Sequence, residues 1–345
     1  MRELAIAGRR IADNEPPWVV AEIGHNHQGS VDTCKLLFRA AADCGVQAVK
    51  LQKRDNRALY APQFYASPYH SENAYADTYG EHREALEFGW DEYVELKAYA
   101  EALGLVFFAT AFDIPSADFL ARLDVPAFKI ASGDLDNLPL LRHVARLGKP
   151  IILSTGGGTL DSVTLAAMCL ASEGAAQRLA ILQCTAAYPC EPSEMNLRVI
   201  ETYRREFPDT VIGLSDHQSG IALGPVAYTL GARIFEKHFT LQRSWKGSDH
   251  AFSLEPVGLR KYVRDLRRTA EALGDGIKRR YPSEEAPLYK MRKSPFVERA
   301  KPGEPPMLSL RSPADGVEAW KIDKLRGRRA DLETGKFVTS TGVFE

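Results

Sequence analysis

The sequence predicts an α/β protein: a closed (β/α)8 TIM barrel followed by a small β-rich domain. Three observations carry that expectation. Eight short apolar runs, rich in β-branched and aromatic residues, recur between residues 18 and 239, and none alternates apolar with polar. Strands covered on both faces have this pattern. Segments of helical length separate the runs, and eight strand–helix units over roughly 250 residues match a barrel better than an open sheet. The GxGxxG turn of a dinucleotide-binding open sheet is absent.

In order, residues 1–17 form a polar lead-in, read as a small hairpin at the barrel floor. The first strand is WVVAEIG, residues 18–24, followed by HNHQGS, where Ser30 can cap a helix running to about Cys44. The next strands are residues 48–54, 106–113, 127–134, 150–158 and 179–189, then VIGLSDH (211–217) and RIFEKHF (233–239). Helices are expected over 90–103, 116–123, 138–147, 160–172, 196–206, 220–230 and 256–273. Residues 55–89, rich in Tyr, Pro, Ser and His, interrupt the repeat after the second strand. An insertion there falls on the active-site face and reads as a substrate loop or lid, or as a variable surface loop. The barrel domain is placed at 1–274 and a polar, proline-containing linker at 275–289. A β-rich domain follows at 290–345, small enough to need a packing partner.

Composition narrows the function classes. Hydrophobic residues make up 45% and charged residues 26% of the 345, with a formal net charge of -1. That balance gives no general drive toward nucleic acid or an anionic membrane. The basic runs 278–280 and 326–329 lack the interleaved aromatics of a nucleic-acid surface. The five cysteines, at 34, 44, 169, 184 and 190, form no CxxC pair, so reduced thiols in a cytoplasmic protein are expected. Cys184, inside a strand, reads as core packing. No signal peptide is read at the start, and no run approaches the ~20 apolar residues of a membrane span.

The chemistry gathers where strands end. His217 closes the seventh strand and His238 the eighth, with Ser215, Asp216, Glu236 and Lys237 alongside. A lone histidine is ordinarily a hydrogen-bonded core residue, but matched positions on adjacent strands favour a metal pair. Two imidazoles with carboxylates suit a borderline divalent ion such as Mn²⁺, Zn²⁺ or Fe²⁺. Other strand exits carry Glu22, Lys50, Gln52, Thr110, Lys129, Ser132, Ser154, Thr155, Thr185 and Tyr188, and Asp249 and His250 follow the eighth. Singly, such lysines are surface groups and such hydroxyls are helix caps. Together with the Gly156–Gly158 turn they suit a phosphate or carboxylate.

These residues resemble the sialic acid synthase family, which makes nonulosonic acids from phosphoenolpyruvate. AEIGHNHQG, AVKLQ, KIASGDLDNLPLL, GKPIILSTGG, CTAAYP, GLSDH and EKHFT stand in that family's order and spacing, and RKS, KPGE and LRSP resemble its C-terminal antifreeze-like (SAF) domain. The resemblance implies condensation of phosphoenolpyruvate with an N-acetylmannosamine-type aldose, release of phosphate, and a domain-swapped homodimer. It implies that His217 and His238 hold a divalent ion, Mn²⁺ first, with Mg²⁺ or Co²⁺ as alternatives. Lys50, Thr110, Lys129, Ser132, Ser154 and Ser215 would bind phosphoenolpyruvate. Glu22, Gln52, Tyr188 and Asp249 would line the sugar and metal-water region, and Arg311 would reach the partner chain's sugar site. Glu22, Asp249 and Glu236 are the candidate catalytic carboxylates. The chain departs from the family at Ala186, where Asn or Ser is usual, at Lys53, Arg54 and Asp55, at YGEHR (79–83), and by a tail about four residues short before Arg311. The alternatives are a metal-dependent aldolase or deoxy-sugar-phosphate synthase on the same barrel, and a non-catalytic carbohydrate-binding relative.

Overall fold

The structure is a computed structural model and describes residues 2–298, 302–303, 307–315, 318–321, 338–339 and 342–343. The chain divides into two compact units, Met1–Gly274 and Asp275–Glu345. The first unit begins with an antiparallel hairpin, β1 (Glu3–Ile6) and β2 (Arg9–Ala12). Its Leu4, Ile6 and Ile11 join the barrel core. It sits at the barrel's amino-terminal end, where Arg233 donates to the Asp13 carbonyl at 2.8 Å.

Eight parallel strands then close a barrel: β3 (Trp18–Gly24), β4 (Ala48–Lys53), β5 (Val106–Ala111), β6 (Phe128–Ile130), β7 (Ile151–Ser154), β8 (Leu179–Cys184), β9 (Val211–Asp216) and β10 (Ile234–His238), with β10 paired back to β3. Almost every residue in them is buried, which accounts for the unbroken apolar runs. The sequence-derived strands extend too far at their carboxyl ends. Ser132–Asp134 is a short 3-10 turn rather than strand. The helix after β8 starts at Val199, three residues late, because Asn196 takes a positive φ of 39° that a helix cannot hold. Ser30 does cap the helix Val31–Asp43, accepting from the Thr33 amide at 3.2 Å.

Parallel register fixes which side chains share a layer. His238 pairs with Glu22, and Glu22 with Lys50. Gln52 pairs with Thr110, Thr110 with Lys129, and Glu236 with Ser215. Because side chains alternate across a strand, Glu236 and His238 point inward while Lys237 between them points out. Asp216 does the same between Ser215 and His217. The two outward residues are register partners and form a buried ion pair of 2.8 Å. Not every polar strand-end residue therefore faces one space: Asp216 and Lys237 lock β9 to β10 from outside. Thr155 also turns away, bonding the Leu182 carbonyl at 2.9 Å.

The insertion carries three short helices, Asn56–Leu59, Pro62–Tyr65 and Tyr79–Glu84. It reaches the loop after β10: the Tyr75 hydroxyl donates to the Lys246 carbonyl at 2.6 Å, and Asn73 accepts from the Gly247 amide at 2.9 Å. In the second unit, the end of the segment read as linker (285–289) and the first two residues of the domain read as β-rich form a helix, Glu285–Met291. β11 (Ser294–Glu298) pairs antiparallel with β12 (Met307–Arg311), and β13 (Val338–Thr339) with β14 (Gly342–Val343). All five cysteines are free and buried, and no described helix is long and apolar enough to cross a membrane.

One buried group makes the barrel acid-sensitive. His27 is 1% exposed, stacks on Phe88 at 4.2 Å and accepts from the Gly29 amide at 3.1 Å through Nδ1. Burial, reinforced by neighbouring His25, pushes its pKa from 6.5 down to about 3. The unfolded chain then binds more protons than the folded one between those values, so this contribution is complete above pH 6.5 and shrinks as pH falls toward 3. Thermal unfolding should drop in temperature between pH 7 and pH 5. His27→Asn, which keeps an acceptor but does not titrate, should show a shallower drop; an unchanged slope would remove His27 as the cause.

Candidate active site

A cavity of about 420 Å³ opens at the carboxyl-terminal end of the strands. Glu22, Lys50, Gln52, Thr110, Lys129, Ser132, Ser154, Tyr188, Ser215, His217, Glu236, His238 and Asp249 all line it. Of the other residues singled out by sequence, Thr185 and His250 do not line it: Thr185 Oγ1 donates to the Glu194 carbonyl at 2.9 Å and His250 Nδ1 lies 2.7 Å from Thr240 Oγ1. Arg311 belongs to the second unit. It sits on β12, its guanidinium 3.3 Å from Ser309 Oγ and over the Phe296 ring.

One wall is a buried lattice of alternating charge. Lys50 Nζ lies 2.7 Å from Glu22 Oε2, donates to Thr110 Oγ1 at 2.7 Å, and stands 3.7 Å from Glu236 Oε1. Lys129 Nζ donates to Ser154 Oγ at 2.7 Å and is 3.6 Å from the same Glu236 oxygen. The two carboxylates are tuned in opposite directions. Burial, opposed by Lys50 and reinforced by Glu236, raises the Glu22 pKa. Burial acts on Glu236 too, but Lys129 and Lys50 outweigh it and hold Glu236 below the ordinary value. Such a divergence separates a proton carrier from a fixed charge. Burial also draws Lys129 down from 10.5.

Next to the cations lies the glycine-rich turn. The Gly156 amide donates to Ser132 Oγ at 2.9 Å, and a Cβ on Gly156 would stand 2.9 Å from both that oxygen and Ala186 Cβ. Glycine is required there so that the turn can approach Ser132. Ala186 lines the cavity, and its side chain brings no donor. Cys184 is buried, yet its thiol lies against Ser132 Oγ (3.4 Å) and His217 Nδ1 (3.9 Å) rather than in the apolar core.

The opposite wall holds the imidazoles, with ring centroids 5.4 Å apart. His217 Nδ1 donates to the Thr185 carbonyl at 2.9 Å, which leaves the Nε2 lone pair available. His238 Nδ1 is buried with no hydrogen-bond partner, 3.7 Å from Asp249 Oδ2. Burial pushes the His238 pKa down to about 3, so the ring is neutral, as a metal ligand must be. Glu236 Oε2 is likewise buried without a hydrogen-bond partner. Burial opposes ionisation of Asp249, but His238 and the Ser248 hydroxyl hold it below the usual carboxylate range. Tyr188, exposed at the mouth, lays its ring 4.2 Å from His217. Among the described residues no three His, Cys, Asp or Glu converge as a complete metal cage. The donor set fits an ion held by two imidazoles whose other positions are filled by water or substrate.

The structure adds His25, Arg54, Arg83 and Ser248 to the lining. Arg54 was legible: Lys50, Gln52 and Arg54 keep one inward parity along β4 and just past it. Arg83 belongs to the insertion, whose path no local pattern specifies. Gln52 links the groups, donating to Glu22 Oε1 and accepting from Arg54 Nη2, both at 2.7 Å. Gly24, with φ +53°, sits below: a Cβ there would meet Gln52, Asp249 and Glu22 at 3.2–3.3 Å.

Residues 37–278 match the NeuB family. The chain is 41% identical over 287 residues to N-acetylneuraminate-9-phosphate synthase of Mus musculus, covering 83% of this chain and 79% of that protein. It is 35% identical over 318 residues to N,N'-diacetyllegionaminic acid synthase of Campylobacter jejuni, covering 90% and 95%. Among solved structures, the N-acetylneuraminic acid (sialic acid) synthetase of Leptospira borgpetersenii in complex with citrate superposes with a TM-score of 0.73 at 29% identity, over 83% of this chain and 95% of that one.

Proposed function

This chain belongs to the NeuB family, and from that premise we propose that its cavity condenses phosphoenolpyruvate with an aldose of the N-acetylmannosamine type. The products are a nonulosonic, sialic-type acid and inorganic phosphate. One observation carries the reading: the cavity has a cationic wall at Lys50 and Lys129 and an imidazole wall at His217 and His238, so two substrates can meet between them.

Lys50 and Lys129 neutralise the carboxylate and phosphate of phosphoenolpyruvate, with hydroxyls of Thr110, Ser132, Ser154 and Ser215 orienting it. Gln52, Tyr188 and Asp249 line the aldose side. His217 and His238 would hold a divalent ion, Mn²⁺ before Mg²⁺ or Co²⁺, which when bound polarises the aldehyde oxygen. C3 of phosphoenolpyruvate forms a bond to the aldehyde carbon, and that oxygen takes a proton. Water adds at C2, and the C2–O bond to phosphate breaks as the keto group forms. Glu22, whose proton is retained most readily, is placed to deliver or accept protons. Asp249 fixes His238 and the water near it, and ionised Glu236 balances the two lysines.

The family resemblance supports two further parts of the proposal: a domain organisation of barrel 1–274, linker 275–289 and antiparallel tail 290–345, and a domain-swapped homodimer in which Arg311 serves the partner's cavity. A cytoplasmic location fits the free cysteines. The test is phosphate release from phosphoenolpyruvate with a panel of aldoses, each product identified by mass. A product heavier than its aldose by the three-carbon acid unit is expected. Pyruvate incorporation without phosphate release would point to an aldolase instead, and no release with any aldose would sink the reading.

A further inference from the structure

Two imidazoles share one ion only where their spacing is fixed, and the strand ladder does not fix it here. The β9–β10 pairing ends at Asp216 and Lys237, one residue short of His217 and His238. His238 is paired on its other side, with Glu22 of β3. His217 lies past the end of β9. Its carbonyl accepts from the Cys190 amide at 3.1 Å, and its Nδ1 donates to the Thr185 carbonyl at 2.9 Å. Both of those ties run to the segment after β8, and neither reaches β10. The 5.4 Å between the ring centroids depends on what joins residues 216–218 to residue 237.

One side chain makes that junction. Lys237 Nζ lies 2.8 Å from Asp216 Oδ2 and also donates to the Gln218 carbonyl. Asp216 Oδ1 accepts in turn from the Gln218 amide at 2.9 Å. Lys237 thus grips the residue before His217 and the residue after it, and is itself the residue before His238. Asp216 and Lys237 are 2% and 1% exposed. The Tyr262 ring, on the helix Pro256–Leu273, stands 6.0 Å from the ammonium. A charge pair so deeply buried adds little net stability to a fold. Out of water, though, its attraction is strong and weakens with distance, so the contact resists displacement.

We infer that Asp216 and Lys237 are positioning residues for the ion site: from behind the barrel wall they set the separation and aim of His217 and His238. This rests on the reading given above that the two imidazoles hold a divalent ion. Groups that orient metal ligands without touching the metal govern affinity by roughly 10- to 100-fold. The pair is neutral as a whole, so deleting both charges leaves the field at the imidazoles nearly unchanged. Its effect on ion binding therefore passes through geometry. Lys50 and Lys129 stand on other strands, β4 and β6, and phosphoenolpyruvate binding does not depend on the pair.

Calorimetric titration of the metal-free full chain with Mn²⁺ tests this, on the wild type and on Asp216→Leu/Lys237→Met, which replaces the pair by apolar side chains. Such replacements leave a fold as stable or more so, so thermal unfolding without metal should stay at or above the wild-type value. The Mn²⁺ dissociation constant should rise roughly 10- to 100-fold. Phosphate release at low Mn²⁺ should fall with it and recover at saturating Mn²⁺, with KM for phosphoenolpyruvate unchanged; damage to the fold would not be rescued by the ion. Lys237→Arg, whose fork can serve both Asp216 and the Gln218 carbonyl, should bind Mn²⁺ nearly as the wild type does. Should the apolar pair fail to fold, Asp216→Asn/Lys237→Gln is the second variant: it is uncharged and polar, and Gln is one bond too short for both contacts, so its dissociation constant should also rise. Wild-type affinity in either double variant overturns the positioning role and leaves the two-histidine ion standing. So does a weakened affinity in the apolar pair that excess Mn²⁺ does not rescue. No Mn²⁺ binding by the wild type, or binding that survives His217→Ala/His238→Ala, overturns the ion reading and the positioning role together.

Discussion

His238→Ala should reduce condensation by at least roughly 10³-fold in kcat/KM, and His217→Ala by a similar factor, the scale on which loss of a transition-state polarising group is felt. The argument starts from the imidazoles themselves. His217 has its tautomer set by the Thr185 carbonyl, and His238 is buried, neutral and without a hydrogen-bond partner at Nδ1. A buried polar atom with no partner is costly unless a ligand engages the ring, so His238 is not explained by the fold. Fold stability should therefore move little: His238→Ala deletes a poorly satisfied ring lined on one side by the cavity. The expected pattern is near-wild-type thermal unfolding, activity at background, and loss of bound divalent ion by elemental analysis. The double variant should be no worse than either single one, because the two rings act on one ion. Retained metal content and activity in the double variant would remove the metal proposal. Collapse of the fold would show that the rings are structural.

The sequence displayed the barrel because buried parallel strands leave unbroken apolar runs, and it displayed the cavity because strand ends share one face. It concealed what depends on parity. SDH and EKH read as clusters of three, yet the middle residue of each faces out, and Asp216 pairs with Lys237 at 2.8 Å behind the site. Counting by twos from Glu236 to His238 or from Lys50 through Gln52 to Arg54 separates wall from backing. Lys50 and Lys129, which singly read as surface groups, are 2% and 3% exposed, and only the carboxylates of other strands make that possible. Arg83 was hidden for a different reason. Its placement comes from tertiary contacts of residues 55–89, including those of Asn73 and Tyr75 to the loop after β10. Residues 285–289 of the helix Glu285–Met291 were read as linker because the stretch GDGIKRRYPSEEAP is polar and contains proline.

Lys129→Met should raise KM for phosphoenolpyruvate by roughly 10³-fold, while Glu236→Gln should lower kcat without raising that KM. Two lysines and two carboxylates share the buried wall, with Glu236 Oε1 at 3.6 Å from Lys129 and 3.7 Å from Lys50. The wall can accept an anion only while its cations outnumber the carboxylates that remain ionised. Glu22 is raised and so yields its charge most readily, whereas Glu236 is lowered and keeps it. Removing Lys129 leaves Lys50 between two carboxylates and no surplus for a phosphate ester. The cost is that of breaking a buried charge contact, about 3–5 kcal/mol, which corresponds to the factor stated at about 1.4 kcal/mol per decade. Removing the charge of Glu236 has the opposite sign for anion binding, so its effect falls on turnover. Burial draws Lys129 below 10.5; the cation is present at low pH and lost as pH rises through its folded value. KM for phosphoenolpyruvate should accordingly climb on the alkaline side before an ordinary lysine would titrate. Lys129→Arg, which stays charged, should flatten that climb even if its absolute KM is higher. An equal rise of KM in Lys129→Met and Glu236→Gln would mean that shape rather than charge holds the substrate, and the assignment of this wall to phosphoenolpyruvate would fall.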